Sequence, residues 1–367
     1  MKSDTASIKL KVDLINEYSV PSGVLGIAAA DSGSESLLVS CMDGYVYDYK
    51  TEERRLRKIT RHTSYASSVA WLPQNDGVVV SSGYDGKIIW SDFKSAKRIQ
   101  QTQAHGFWSW QMKCSETKKL VGSATGQYLS GGYKYEPAPE KEPSIKIYNA
   151  ETRELISSLS HLPPVLSLAF SPNDKYVAAG NLMGDIKLWD IKSGKEILSW
   201  NSPDFTSWGI IKSHHYIGGI FDMCFSPDSN RLSVCGMGPM RDPMAGNGKQ
   251  TWQTFDVSKP SQEPEIIAEI QDQQRGRGLM ESICYHPSGR FFVMAGRLAQ
   301  GQWNVSFFDS STGELIHSLN NKIRITSIDF STDGQILFLG GTKSQGKKNK
   351  GKWRDYGSLL SYKLKVV

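Results

Sequence analysis

The 367-residue sequence has no apolar run approaching the roughly 18 residues that a membrane-spanning helix needs. Its first residues, MKSDTASIKLKVDLINEYS, alternate polar and apolar and lack the continuous apolar stretch of a secretory signal. A soluble, cytoplasmic protein with no membrane association is the expectation. Cysteine is scarce: Cys41, Cys114, Cys224, Cys235 and Cys284 are odd in number, never form CxxC, and all lie in apolar strand-like runs. They are expected to be reduced, buried thiols rather than disulfides or metal ligands. No GxSxG elbow is present, and no histidine is placed to activate a serine. The charge excess is small and local. Of the formal +6, the stretch 341–356 (GTKSQGKKNKGKWRDY) carries net +5, so one loop holds the basic bias.

That loop fits GxxxxGK, but Lys348 stands where a phosphate-binding loop needs Ser or Thr for magnesium, and a strand rather than a helix follows. Nucleotide binding is not expected. His214 and His215 are adjacent, so in extended chain they point apart and cannot chelate one ion. Neither a cofactor nor a metal is expected.

What the sequence has instead is self-similarity. LAFSPNDKYVAAG (168–180), MCFSPDSNRLSVCG (223–236), ICYHPSGRFFVMAG (283–296) and IDFSTDGQILFLGG (328–341) share an apolar strand, a tight turn and a second strand. VAWLPQNDGVVVSSG (69–83) is a fifth copy, and MKCSETKKLVGS and IAAADSGSESLLVS make seven. A third strand follows each, marked in turn by Tyr49, Trp90, Tyr148, Trp189, Phe255, Phe308 and Tyr362. A fourth follows in turn, as in RRLRKITRH or KEILSWN. Seven units of four strands result.

The period of about 41 residues, the Trp189-Asp190 pair and the closing His62, His105 and His161 resemble WD40 repeats. The resemblance implies an all-β fold, a seven-bladed β-propeller of four-stranded antiparallel blades forming one domain over 1–367. The expected blades are 24–62, 66–106, 107–163, 165–204, 219–274, 278–323 and 324–367. Only one true Trp-Asp occurs, Trp90 is displaced by one position, and Met183 replaces the family's turn Asp. The last unit has no fourth strand, while residues 7–18 form an orphan strand; pairing the two would close the ring and cover an open sheet edge.

By alternation of strand direction, the second-to-third loops and the blade-to-blade connections share one rim. All the long insertions fall there: 125–143, 237–250, 297–303 and 342–356, with connections 202–219 and 271–279. Long loops on a rigid frame concentrate binding residues. Those on this rim are rich in the types that dominate interfaces: Trp108, Trp110, Tyr133, Trp208, His214, Tyr216, Arg241, Arg275, Arg277, Arg297, Trp303, Trp353 and Arg354. The expected function is a non-enzymatic scaffold that binds a peptide or protein with acidic groups. Two alternatives stand beside it. One is nucleic-acid or polyanion binding through the basic loop 342–356. The other is a metallohydrolase centred on the channel, whose inner-strand ring reads Gly26, Ser68, Gln111, Ser167, Asp222, Ser282 and Ser327, with Glu281 one residue away.

Overall fold

The computed structural model describes residues 8–30, 35–73, 77–127, 139–208, 216–238, 248–259, 262–344 and 355–366. The Ser-x-Asp turns explain why the repeat is so regular. In the first turn of the fourth blade, Ser171 Oγ donates to Asn173 Oδ1 and accepts the Tyr176 N–H, at 2.7 and 2.8 Å. Ser226 with Asp228 and Arg231, and Ser331 with Asp333 and Ile336, repeat the device. Such side-chain turns outcompete other local conformations and fix the hairpin register. The third-to-fourth turns use an acid or amide in the same way: Asp190 Oδ1 accepts from Ser193 N and Oγ.

These hairpins assemble into seven antiparallel sheets arranged as the blades of a β-propeller, spanning 24–61, 66–103, 111–159, 165–201, 206–269, 277–319 and 324–366. The seventh is completed by Leu10–Val20, which pairs along Gly357–Val366 from Leu10↔Val366 to Val20↔Gly357. Two loop readings are corrected. Thr206–Trp208 pairs with the head of Tyr216–Phe225, giving the fifth sheet an extra strand inside the segment read as a connection. In the sixth blade Arg277–Tyr285 and Phe291–Gln300 extend their ladder to Arg277↔Gln300, so parts of 271–279 and 297–303 are strand. Close approach is what permits that extension: a Cβ on Gly278 would meet the Arg297 carbonyl oxygen at 2.0 Å.

The core lies between blades. The third-strand aromatic of each blade faces the preceding blade: Tyr148 packs with Val80 and Ile88, Trp189 with Leu120 and Ile147, and Phe255 with Ile186 and Trp200. Trp90 breaks the series. It pairs with Val80 in a register where its neighbours' aromatics hold the next position, and the one-residue shift turns it toward the third blade, where it meets Tyr148 edge-on at 6.2 Å. Ser91 takes the face it leaves.

The histidines close polar networks of unequal completeness. His62 Nδ1 lies 2.9 Å from Asp85 Oδ1, and its Nε2 lies 2.9 Å from Ser81 Oγ. His105 reaches Ser123 at 3.0 Å, with Glu142 at 4.0 Å in place of the aspartate. At Met183, the turn is held by Asn181, whose Oδ1 accepts both the Met183 and Asp185 N–H groups. Burial pushes His105 and His161 down to about 4. Asp85 is raised by burial but lowered further by His62 and two backbone N–H groups, to about 2.

A pH dependence follows. Below pH 6.5 an unfolded histidine binds a proton that folded His105 and His161 refuse, so their stabilisation holds above 6.5 and fades as the pH falls toward 4. Each contributes up to about 3 kcal/mol on this basis. Asp85 acts lower, its contribution present above pH 3.8 and lost toward 2. Urea midpoints should therefore drop steeply between pH 6.5 and 4, and His105→Gln should flatten that drop; midpoints unchanged above pH 4.5 would contradict it.

Candidate rim interaction site

The inner-strand ring is engaged in holding blades together. Seen from the sequence, these small polar residues line a hydrated channel; the structure gives most of them a bond to the next blade. Met112 N donates to Ser68 Oγ, Leu168 N to Gln111 Oε1, Ile283 N to Asp222 Oδ2, Ile328 N to Ser282 Oγ, and Ile27 N to Ser327 Oγ, at 2.8 to 3.2 Å. Ser167 Oγ donates to the Ile220 carbonyl. Gly26 has no side chain to offer, and a Cβ there would press on Ser40 Oγ and the Ser67–Ser68 backbone. Each bond is worth about 1 kcal/mol net, and together they run around the channel.

The two channel acids are similarly engaged. Asp222, 1% exposed, accepts from Gln111 Nε2 at 2.8 Å, Ser282 Oγ at 3.1 Å and Ile283 N, and pairs with Lys113 Nζ at 3.2 Å. Glu281 takes both of its bonds from Arg324 Nε, at 2.7 and 3.0 Å. Burial raises Glu281 more than Arg324 lowers it, and Arg324 itself is raised because the carboxylate outweighs its burial. The acids thus answer separate cations and do not converge on one point. Among the described residues no group of three metal-ligating side chains occurs. All five cysteines are unpaired, and burial pushes their thiols up, Cys114 to about 11. Protonated thiols in that setting are not nucleophiles.

Above the ring opens a mouth of about 290 Å³, whose lining includes Tyr84, Trp110, Phe221, Glu281 and Arg324. On the side of the second and third blades stands an aromatic ladder. Trp108, 40% exposed, stacks on Tyr84 at 4.6 Å and 2°, and on Phe107 at 5.0 Å and 12°. Trp110 meets Trp108 edge-on at 5.3 Å, and its Nε1 donates to the Gly126 carbonyl. Tyr65, 43% exposed, adds to the Tyr84 end at 5.5 Å. Burial raises the Tyr84 phenol to about 12, so it stays neutral.

The basic side is a second cleft, lined in part by Arg297, Lys322, Arg324 and Lys343. Arg324 belongs to both cavities and joins them. Two of these four cations are ion-paired: Arg324 with Glu281, and Lys343 with Glu17 at 2.7 Å. Arg275 is held by Asp272 at 2.7 Å, while Arg277 is exposed at the head of its strand. Trp303 is corrected from a rim contact to a packing residue. It is 3% exposed, lies among Trp252, Phe292 and Phe308, and donates Nε1 to the Gln274 carbonyl. Trp208 and Tyr216 face each other across the extra hairpin as backbone partners. Tyr133, His214, Arg241, Trp353 and Arg354 lie outside the described residues, as does most of the basic loop. Tyr84, Phe107 and Arg324 are the rim residues that sequence reasoning missed. Tyr84 follows an ordinary strand in GYDG, and nothing local marks it.

Comparison with known proteins agrees with this geometry. The WD domain, G-beta repeat family matches residues 53–91 and 153–190. Each match runs from the outer strand of one blade through the first three strands of the next, the same offset that leaves Leu10–Val20 to close the ring. The chain is a seven-bladed β-propeller, two of whose repeats match the WD40 family. It is similar to eukaryotic translation initiation factor 3 subunit I of Lodderomyces elongisporus, at 23% identity over 56% of this chain and 55% of that protein. It is also similar to the subunit I of Candida albicans, at 22% over the same shares, and to meiotic recombination protein rec14 of Schizosaccharomyces pombe, at 27% over 50% of this chain and 57% of that protein. The chain spans about half the length of the curated relatives it matches. Among the described residues, no helix is long and apolar enough to cross a membrane.

Proposed function

We propose that the protein is a non-enzymatic cytoplasmic scaffold that binds a peptide or protein segment across the channel mouth. The carrying observation is the aromatic ladder. Parallel rings locked by their neighbours, Trp108 exposed and Tyr84 and Phe107 half-buried, offer an apolar surface that loses little entropy on binding. On this reading the segment lays an apolar or planar side chain on Trp108 and Tyr84. It turns an acidic group toward Arg277 and Lys322 across the mouth. The relatives' names include a subunit of an initiation factor, which agrees with an assembly role.

The test is affinity capture from the source cell at two salt concentrations, followed by titration of the captured partner against intact protein and Trp108→Ala. Loss of the indole should weaken binding by about 2 kcal/mol, roughly 30-fold, as for a central aromatic anchor. Equal affinity for the two proteins would refute the rim reading.

A further inference from the structure

A second cationic surface lies on the outer flank of the first two blades and shares no lining residue with the channel mouth. Residues 50–61 contain Lys50, Arg54, Arg55, Arg57, Lys58 and Arg61 against two acids, Glu52 and Glu53. Arg55 is paired with Glu53, and Arg57 with Asp48. Lys58, Arg61 and Arg98 are exposed and enter no carboxylate pair among the described residues. These three converge on a cleft of about 340 Å³ that also takes in Tyr45, Thr60 and Ala96. Lys58 Nζ sits 4.0 Å from the centre of the Tyr45 ring and Arg61 Cζ 4.8 Å from it. The nearby Asp43 is turned to Tyr45 N and Tyr47 OH instead. Deeper in the same seam, Arg57 and Lys50 lie over Phe93 at 4.8 and 5.6 Å.

Charge on an outer strand has an ordinary explanation, since lysines blunt exposed sheet edges. Four of the other five blades speak against it here. Their outer strands read LISSL, EILSWN, IIAE and LIHSL in blades three to six, without a single Lys or Arg. Edge protection therefore does not call for cations in this propeller. RLRKITR and RIQQTQ, side by side, gather cations that have no carboxylate partner among the described residues, whereas Lys11 on the seventh blade's outer strand is paired with Asp13.

We propose that this seam binds the phosphate groups of a single-stranded nucleic acid. Like charges gathered in one cleft repel until an anion enters, and the Tyr45 face holds two of them in place for it. A row of cations suits a polymer whose charges recur at regular intervals. An acidic peptide fits less well, because Lys58 and Arg61 already occupy the Tyr45 ring face that an anchoring side chain would use.

The experiment is a titration of a fluorescent 20-residue polyuridylate at several KCl concentrations. The variant carries Lys58→Ser, Arg61→Ser and Arg98→Ser; all three side chains are exposed, and unchanged urea unfolding would verify its fold. Its affinity at low salt should fall at least about 10-fold. Its log–log salt slope should shrink by about 2, at roughly 0.7 for each phosphate that the three cations no longer neutralise. A control with Lys347, Lys348, Lys350 and Lys352 changed to Ser should bind like the intact protein. Three results would overturn the proposal: a triple variant that binds as well as the intact protein, binding that disappears with the lysine loop instead, or polyglutamate that competes as well as polyuridylate at equal charge.

Discussion

Deleting residues 8–20 should yield a protein that no longer unfolds as a cooperative monomer. The Leu10–Val20 strand covers the Gly357–Val366 edge along its whole length, so its loss leaves that edge open. The backbone bonds alone, at about 1 kcal/mol each, amount to roughly 5–10 kcal/mol, comparable with the entire stability of a typical domain. The strand also joins the seventh blade to the first. Tyr18 stacks on Tyr49 at 4.6 Å, Asn16 Nδ2 donates to Tyr49 OH at 2.9 Å, and Arg54 reaches the Glu17 carbonyl at 2.8 Å. Without it the open strand is a template for association between copies. Size-exclusion chromatography and urea unfolding would show this, and a synthetic 8–20 peptide added in trans should restore the monomer. A truncated chain that stays monomeric within about 1 kcal/mol of the intact stability would mean the ring is closed by something else.

That closure was readable from sequence because it rests on strand arithmetic, with one unit short and one strand spare. The blade count was readable for a local reason too: each Ser-x-Asp turn completes its own hydrogen bonds within about five residues. What could not be read depends on residues far apart. Ser327 meets Ile27 across 300 positions and Gln111 meets Asp222 across 111, so a ring of small polar side chains looks like a solvated lining until adjacent blades are in place. Trp303 and Trp108 look alike as rim tryptophans. One sits under the extended hairpin of the sixth blade, which the glycines at 276, 278 and 296 let close over it; the other stands on a stack of rings from two blades. RRLRKITRH is legible as an outer strand, yet its charge gains meaning only beside Arg98 of the next blade.

Asp222→Ala should be the most damaging single substitution at the channel, lowering the unfolding free energy by about 3–5 kcal/mol. The carboxylate ties the third, fifth and sixth blades together, and its removal strands the Gln111 amide, the Ser282 hydroxyl, the Ile283 N–H and the Lys113 ammonium at once. Lys113 has 37% of its side chain exposed to the channel, so its own share is screened and the total belongs toward the lower figure. Adding Lys113→Met should recover about 1 kcal/mol, because the stranded charge is gone although the three other donors remain unpaired. Urea unfolding of the two single variants and the double variant completes the cycle. A loss under about 1 kcal/mol in Asp222→Ala would show that the ring of inter-blade bonds is dispensable. If millimolar magnesium or calcium raised the midpoint of the intact protein but not of the variant, Asp222 would be a cation ligand, and the channel rather than the rim would be the working site. Absent such an effect, the channel's polar groups are committed to holding the blades, and the Trp108→Ala titration is the measurement that decides for or against the proposed rim site.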